Sequence, residues 1–412
     1  MSDKLNYAVL NGKAFDPDSL LNMLTEHLFT EIIPFWEKTG PDPLGGFNTC
    51  LIDDGTLVSR DKFMWGQWRA VWVFARLYNS FGEARWLTLA EQIAGFVLKY
   101  GWSEKDQAWR SRLSKEGAEL EGCTSIYTDG FAMYALGELF KATANPVYEI
   151  WARRTADAAA ITLKRPHDTI PHSPYPVPAG ARVHGIPMLF SLKFQELGDL
   201  FDDDEYIALA RSLQDEIFTN FYQPEWDLLV ERTTDTGGRY PGADGRAVVP
   251  GHVLEDMWFQ IHIAQATGRT DLILRALEIS RRHLEFGWDE ESGGGLLLAK
   301  DAEGKTPVGW NMPDMKLWWP HTEALYTCLL AWRISGAEWA KEWYARIFEY
   351  CIKYFYMPDA GEWRQKLTRE NQPFTGTVVF PVKDPFHLPR SLILQIELLQ
   401  NACSQKEILS AV

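Results

Sequence analysis

The sequence predicts an all-α fold, an (α/α)6 barrel built as a toroid of about six helical hairpins with short β-hairpin loops, and three observations carry that prediction. Apolar residues recur at i, i+3, i+4 and i+7 along most of the 412-residue chain. Short extended runs ending in Gly, Asp or Lys turns come back at a roughly constant interval. No Pro/Gly/Ser-rich linker or low-complexity run divides the chain. Length alone would suggest two or three domains. A ring that grows by repetition around one core instead accommodates residues 1–412 as a single catalytic domain.

In chain order the helical periodicity covers 68–81, 86–100, 130–143, 147–163, 188–200, 205–221, 254–267, 270–286, 321–335, 337–355 and 389–401. Between these stretches stand GGFNTCLIDDG from 45, AWRSRLSKEG from 108, WDLLVERTTDTGG from 226, GGGLLLAKDAEG from 293 and EWRQKLTREN from 362. Their spacings are 63, 118, 67 and 69 residues, the second nearly double the others. A period of about 60–70 residues, each holding two helices and one hairpin-like loop, gives about six units. Closed into a ring, inner helices would line a cavity and outer helices would cover them. The Pro-rich stretch 166–187 is the best candidate for a long loop over the mouth of that cavity.

Hydrophobic residues at 46% and charged residues at 24% are ordinary for a globular protein, but 18 tryptophans are not. Indoles suit the apolar face of a pyranose, although most of them are expected in the core. A formal net charge of −15 with no basic run argues against nucleic acid and anionic membranes as partners. Five widely spaced cysteines (50, 123, 328, 351 and 403) without a CxxC fit a reducing cytoplasm and speak against a disulfide framework or a zinc site. The start of the chain carries no apolar signal region, and no run reaches 18 apolar residues, so neither secretion nor a membrane span is expected.

Three histidine clusters could carry chemistry. In PGHVLEDMWF (250–259), His252, Glu255 and Trp258 recur every three residues, which stripes imidazole, carboxylate and indole along one helix face. A carboxylate beside an imidazole fixes its tautomer and suits it to act as a base near neutrality. In KLWWPHTEAL (316–325), Trp319 offers an aromatic platform at a helix start. His321 and Glu323 diverge there by about 200°, so Glu323 is taken as the inward group and His321 as a structural cap. In DPFHLPR (384–390), His387 stands in a loop just before a Pro-initiated helix. Arg69, in MWGQWRAVW (64–72) with Trp65, is a cation in an aromatic helix and needs an oxygen partner. Tyr127 opens another helix, and His184 sits on the Pro-rich loop. His262 and His283 read as ordinary helical residues. Motifs for metalloprotease zinc, phosphate-binding loops, dinucleotide binding and serine hydrolases are absent. Two histidines on separate elements with one arginine and one carboxylate suit proton abstraction α to a carbonyl.

At these clusters the chain resembles the N-acylglucosamine 2-epimerase superfamily, an (α/α)6-barrel family that includes cellobiose and mannose 2-epimerases and aldose–ketose isomerases. The resemblance runs from about Phe35 to Leu399 and rests on PGHVLEDMWF, KLWWPHTEAL and PFHLPR. It implies that His252 and His387 are the acid/base pair and that Arg69 contacts the substrate carbonyl. It further implies that Glu323 and Glu255 are supporting carboxylates, Trp319 a stacking indole, and Tyr127 a pocket residue. Trp258, His184 and Trp65 complete the candidate substrate contacts. Val382 stands where cellobiose epimerases have a tryptophan for the second sugar, which favours a monosaccharide. The residues before Arg69, Gln67 and Trp68, depart from the small residue usual in the family. Some relatives are activated by ATP; no nucleotide motif is visible here, and neither a metal nor another cofactor is expected. A small sugar is the expected partner, with a homodimer allowed.

The resemblance implies a C2 epimerase of N-acetylglucosamine and N-acetylmannosamine, with mannose/glucose epimerisation or an aldose–ketose isomerase as the alternative. A glycoside hydrolase on the same barrel would need two carboxylic acids flanking the scissile bond, and a non-catalytic glycan binder would leave three polar clusters unexplained. For an epimerase, His252 and His387 should enter one cavity from different inner elements, with Arg69 and Glu323 on its wall.

Overall fold

The computed structural model describes residues 16–401; Cys403 and the start of the chain lie outside them. Its helices are α1 (Pro17–His27), α2 (Ile33–Thr39), α3 (Met64–Phe81), α4 (Ala84–Tyr100), α5 (Tyr127–Thr143) and α6 (Pro146–Thr162). They continue as α7 (Gly185–Phe201), α8 (Asp204–Glu216), α9 (Pro250–Thr267), α10 (Thr270–Gly287), α11 (Trp318–Ser335), α12 (Glu338–Tyr354) and α13 (His387–Gln400). Helices α3, α5, α7, α9, α11 and α13 pack side by side, and α13 returns to α3, closing an inner ring. Each inner helix is covered by one outer helix: α4, α6, α8, α10 and α12 in turn, with α1 covering α13. The result is an (α/α)6 barrel whose last hairpin is completed by α1, the first helix among the described residues. Periodicity did not find α1, which lies before the first run it picked out. Among the described residues, no helix is long and apolar enough to cross a membrane.

The two faces of the ring differ, and the sequence explains why. After α3, α5, α7, α9 and α11 the chain turns at once through one left-handed residue: Gly82, Ala144, Asp202, Gly268 and Gly336. Such a residue ends a helix, its N–H donating back to a carbonyl of the last turn as the chain reverses. On the opposite face the outer helices return through long loops at 40–63, 101–126, 163–184, 222–249, 288–317 and 355–386. The Pro-rich stretch is the third of these, so it fills the doubled interval between the runs at 108 and 226. Its prolines hide the hairpin signal of the other five, because proline cannot donate to a ladder.

The six long loops are stitched edge to edge. Lys62–Phe63 pairs with Arg112–Leu113, Ala181–Val183 with Arg232–Thr234, Ala247–Val248 with Lys300–Asp301, and Lys316–Leu317 with Lys366–Leu367, all antiparallel. A bridge between Ser125 and His172 joins the second loop to the third. The Lys383 N–H donates to the Thr49 carbonyl at 2.7 Å, tying the sixth loop to the first. Every neighbouring pair is therefore bonded, and the loops form a belt around one mouth of the barrel.

Candidate active site

Inside that belt lies a cavity of about 340 Å³, walled by the first turns of the inner helices. Trp65 and Arg69 come from α3, Tyr127 and Phe131 from α5, Met188 and Leu189 from α7, His252 and Glu255 from α9, Trp318 and Trp319 from α11, and His387 from α13. None of these six helices has a side chain capping its N-terminus; of the outer helices, α1, α6 and α8 are capped by Asp16, Asn145 and Asp203, and α4, α10 and α12 are not. The inner helices thus direct their positive dipole ends to one place, which favours negative charge there.

His252 and His387 both line the cavity, and Trp319 lies against both. The Trp319 ring stacks on His252 at a centroid distance of 5.2 Å and 29°, and sits 5.5 Å from His387 at 36°. Pro250 and Gly251 explain the contact. Pro250 starts α9 where no N–H is needed. A Cβ on Gly251 would stand 2.8 Å from Trp319 and 2.7 Å from Pro320, so only glycine lets α11 come this close.

Each imidazole is fixed from behind by a buried carboxylate. His252 Nδ1 lies 3.1 Å from both oxygens of Glu231, and His387 Nδ1 lies 2.8 Å from Glu323 Oε1. A nitrogen facing a carboxylate carries the proton, so in the neutral ring Nε2 keeps the lone pair in both residues. Both carboxylates are shared with a second buried cation. Glu323 accepts from Arg390 at 2.7 Å and from the Trp258 indole at 2.9 Å, and Arg390 also bonds Glu255. Burial pushes the Glu323 carboxyl up, but Arg390 and His387 hold it below the usual carboxylate range. Glu231 is likewise resisted by burial and held low by His252 and His184.

Arg69 also lines the cavity, ion-paired with Asp384. Its guanidinium packs over Phe131 at 4.1 Å, Trp65 at 4.8 Å and Phe386 at 5.0 Å. Tyr127 meets His172 at 2.6 Å, and His172 Nδ1 faces the Tyr175 carbonyl at 2.6 Å. Nδ1 must therefore carry the imidazole proton and Nε2 must accept from the Tyr127 hydroxyl, leaving the phenol oxygen to accept from a ligand. Burial raises the Tyr127 pKa, in line with a neutral phenol.

Several candidates stand elsewhere than the residue pattern suggested. The partner of His252 is Glu231, on the loop before α9, and not Glu255 one turn along its own helix. Glu255 faces the cavity and Arg390 instead, because His252 lies in the first turn and its ring leaves the helix toward the belt. Glu323 lies behind His387 rather than on the wall. Trp258 is buried, does not line the cavity, and supports Glu323. His184 is also fully buried off the wall, with Nε2 2.8 Å from Asp256. His321, by contrast, turns away as its divergence from Glu323 implied, taking the Leu296 N–H at 2.8 Å and facing the Leu317 carbonyl at 2.6 Å.

Glu231, Asp256, Arg390, His172 and Asp384 are the residues that sequence reasoning missed. Glu231 had a visible mark, a carboxylate ending the apolar run LLV, and Arg390 stands one turn after His387. Glu255, Glu323 and His387 bring ligand atoms within 4.8 Å of one another, a metal-like grouping that the sequence did not reveal. Arg390 donates to both carboxylates, so a fixed cation already satisfies that grouping. Of the 18 tryptophans, Trp65, Trp310, Trp318 and Trp319 reach the cavity. Most of the others are core, as expected of large indoles.

The model of the N-acylglucosamine 2-epimerase (GlcNAc 2-epimerase) family matches residues 45–390. The N-acylglucosamine 2-epimerase of Mus musculus is 29% identical, covering 91% of this chain and 90% of its own. The cellobiose 2-epimerase of Dictyoglomus turgidum is 22% identical over 89% of this chain and 96% of its own. Among solved structures, the cellobiose 2-epimerase from Bacillus thermoamylovorans superposes with a TM-score of 0.79 at 18% identity, covering 92% of this chain and 99% of that one. The last likeness is one of fold.

Proposed function

Because the chain belongs to the N-acylglucosamine 2-epimerase family and is thereby a sugar 2-epimerase, we propose that it interconverts N-acetylglucosamine and N-acetylmannosamine through two histidine bases. The observation that carries this reading is the pair of imidazoles, each locked at Nδ1 by a buried carboxylate, in one cavity with Trp319 against both.

In the open-chain sugar the C2–H bond lies next to the C1 carbonyl. Nε2 of one neutral histidine removes that proton, and the electron pair moves into an enediolate with charge on O1. The opposite histidine starts protonated and returns its proton to the other face of C2. The enzyme then carries one proton as before, on the other imidazole. Arg69 and the converging helix N-termini supply positive potential for the oxyanion. Trp319 supports the apolar face of the substrate.

An uncharged sugar fits better than a phosphorylated one. The arginines on the wall are already ion-paired, Arg69 with Asp384 and Arg232 with Asp244 at 2.7 Å. Tyr175 and Trp310, with ring centroids 5.2 Å apart, link the loops before α7 and α11 on the cavity wall, in keeping with a monosaccharide. No metal or other cofactor enters these steps. A cytoplasmic location is in keeping with the free thiols of Cys50, Cys123, Cys328 and Cys351.

Proton NMR in heavy water with N-acetylglucosamine, N-acetylmannosamine, mannose, glucose and cellobiose tests the reading. Deuterium should enter C2 of the product epimer of an N-acetylated hexosamine. A ketose labelled at C1 would identify an aldose–ketose isomerase instead, and no exchange with any sugar would reject the reading.

A further inference from the structure

The two bases stand on matched charge arrays. Beside His387 the order is carboxylate, cation, carboxylate: Glu323, Arg390 and Glu255, the last also facing the cavity. Behind His252 the same order is built from other residues. Glu231 holds His252, His184 Nδ1 lies 3.8 Å from Glu231 Oε1, and His184 Nε2 lies 2.8 Å from Asp256 Oδ2. The 3.8 Å contact is an ion pair rather than a hydrogen bond. The His184 backbone N–H adds a 3.0 Å bond to the Glu231 carbonyl. Asp256 is held in turn by Gln260 at 2.7 Å, and Gln260 by Ser191 at 3.0 Å.

We propose that His184, clamped between Glu231 and Asp256, is the positioning residue of the His252 base and does for it what Arg390 does for His387. This inference rests on the two-base reading above. An epimerase runs in both directions and needs two bases of similar strength. A carboxylate, a cation and a second carboxylate linked in turn to each imidazole give both the same net charge of −1, and so keep their proton affinities close. A fully buried imidazole between two carboxylates serves as that cation. Burial alone would lower the His184 pKa, but the Asp256 and Glu231 contacts push it up to about 9. Other groups around it do not supply the charge. His283, on α10, is neutral because Nδ1 faces the Ile279 carbonyl at 2.8 Å and Nε2 accepts from the Leu229 N–H at 3.1 Å. Arg182 turns to Glu216 at 3.0 Å, and the Phe221 ring is uncharged.

The test is the pH profile of kcat/KM for wild type, Asp256→Asn, His184→Gln and the double variant, with folding followed by circular dichroism. Removing the Asp256 charge leaves an excess cation behind His252 and weakens that base, so the acid limb should move to lower pH. Removing the His184 charge leaves an excess of anion and strengthens the base, so the alkaline limb should move to higher pH. Shifts of about half a pH unit or more are expected, and the double variant should return both limbs toward wild type. Limbs that stay in place, or that move the same way in both single variants, would overturn the proposal. If His184→Gln does not fold, the near-isosteric Asp256→Asn decides alone by the direction of its acid limb. Wild type is assayed beside them for C2 exchange: absence of exchange there rejects the two-base reading and this inference with it, whereas normal exchange with unmoved limbs rejects only the role of His184.

Discussion

Trp319 and His252 stack with their ring centroids 5.2 Å apart and 29° between the planes, across the point where Gly251 lets α11 approach α9. The indole determines where that base sits, so the smallest disturbance of the contact should be felt in the chemistry. Gly251→Ala would press a methyl group against Trp319 and Pro320. Turnover is expected to fall about tenfold or more, because small misplacements of reacting groups are costly. Far-ultraviolet circular dichroism should stay unchanged. Wild-type turnover in a folded Gly251→Ala protein would show that Trp319 does not govern the base.

His252→Asn and His387→Asn should each lower turnover at least about a hundredfold in a folded protein, the scale of losing a general acid/base group. Steady-state rates with the N-acetylhexosamine pair measure this. A variant that keeps more than about a tenth of wild-type turnover removes its histidine from the mechanism.

Glu231→Gln separates the partner seen in the structure from the one suggested by helical spacing. The amide cannot balance the imidazolium formed at His252 or hold its tautomer as firmly, and kcat should fall roughly a hundredfold or more. A Glu231→Gln enzyme with an undiminished kcat would mean that the 3.1 Å contacts do not support catalysis.

Tyr127→Phe removes one uncharged hydroxyl already committed as donor to His172. The loss is one acceptor for the sugar, worth about 0.5–1.5 kcal/mol, or roughly two- to tenfold in kcat/KM. It should be expressed mostly in KM. A drop of several hundredfold in kcat would instead make Tyr127 an acid or base.

Treatment with EDTA should leave turnover unchanged, since Arg390 already bonds both carboxylates, Glu255 and Glu323. Loss of activity that a divalent ion restores would show that a metal takes part.

Helix periodicity, the recurring turn loops and the motifs around His252, Trp319 and His387 were legible in the sequence because they are local. A helix face repeats every three or four residues, and a turn is written in adjacent ones. Cap positions were legible for the same reason, as Pro250 at the start of α9 illustrates. The partnerships that give those residues their chemistry join separate elements. Glu231 is 21 positions from His252, Glu323 is 64 from His387, and Arg390 is 135 from Glu255. No spacing rule joins such pairs; the fold of the belt loops and the packing of neighbouring inner helices do. Spacing along α9 therefore pointed to Glu255 as the partner of His252, while the belt of loops supplied Glu231. The same packing buried His184 and Trp258, which sequence reasoning had on the cavity wall, since a polar side chain inside the ring must find its partner there rather than in water.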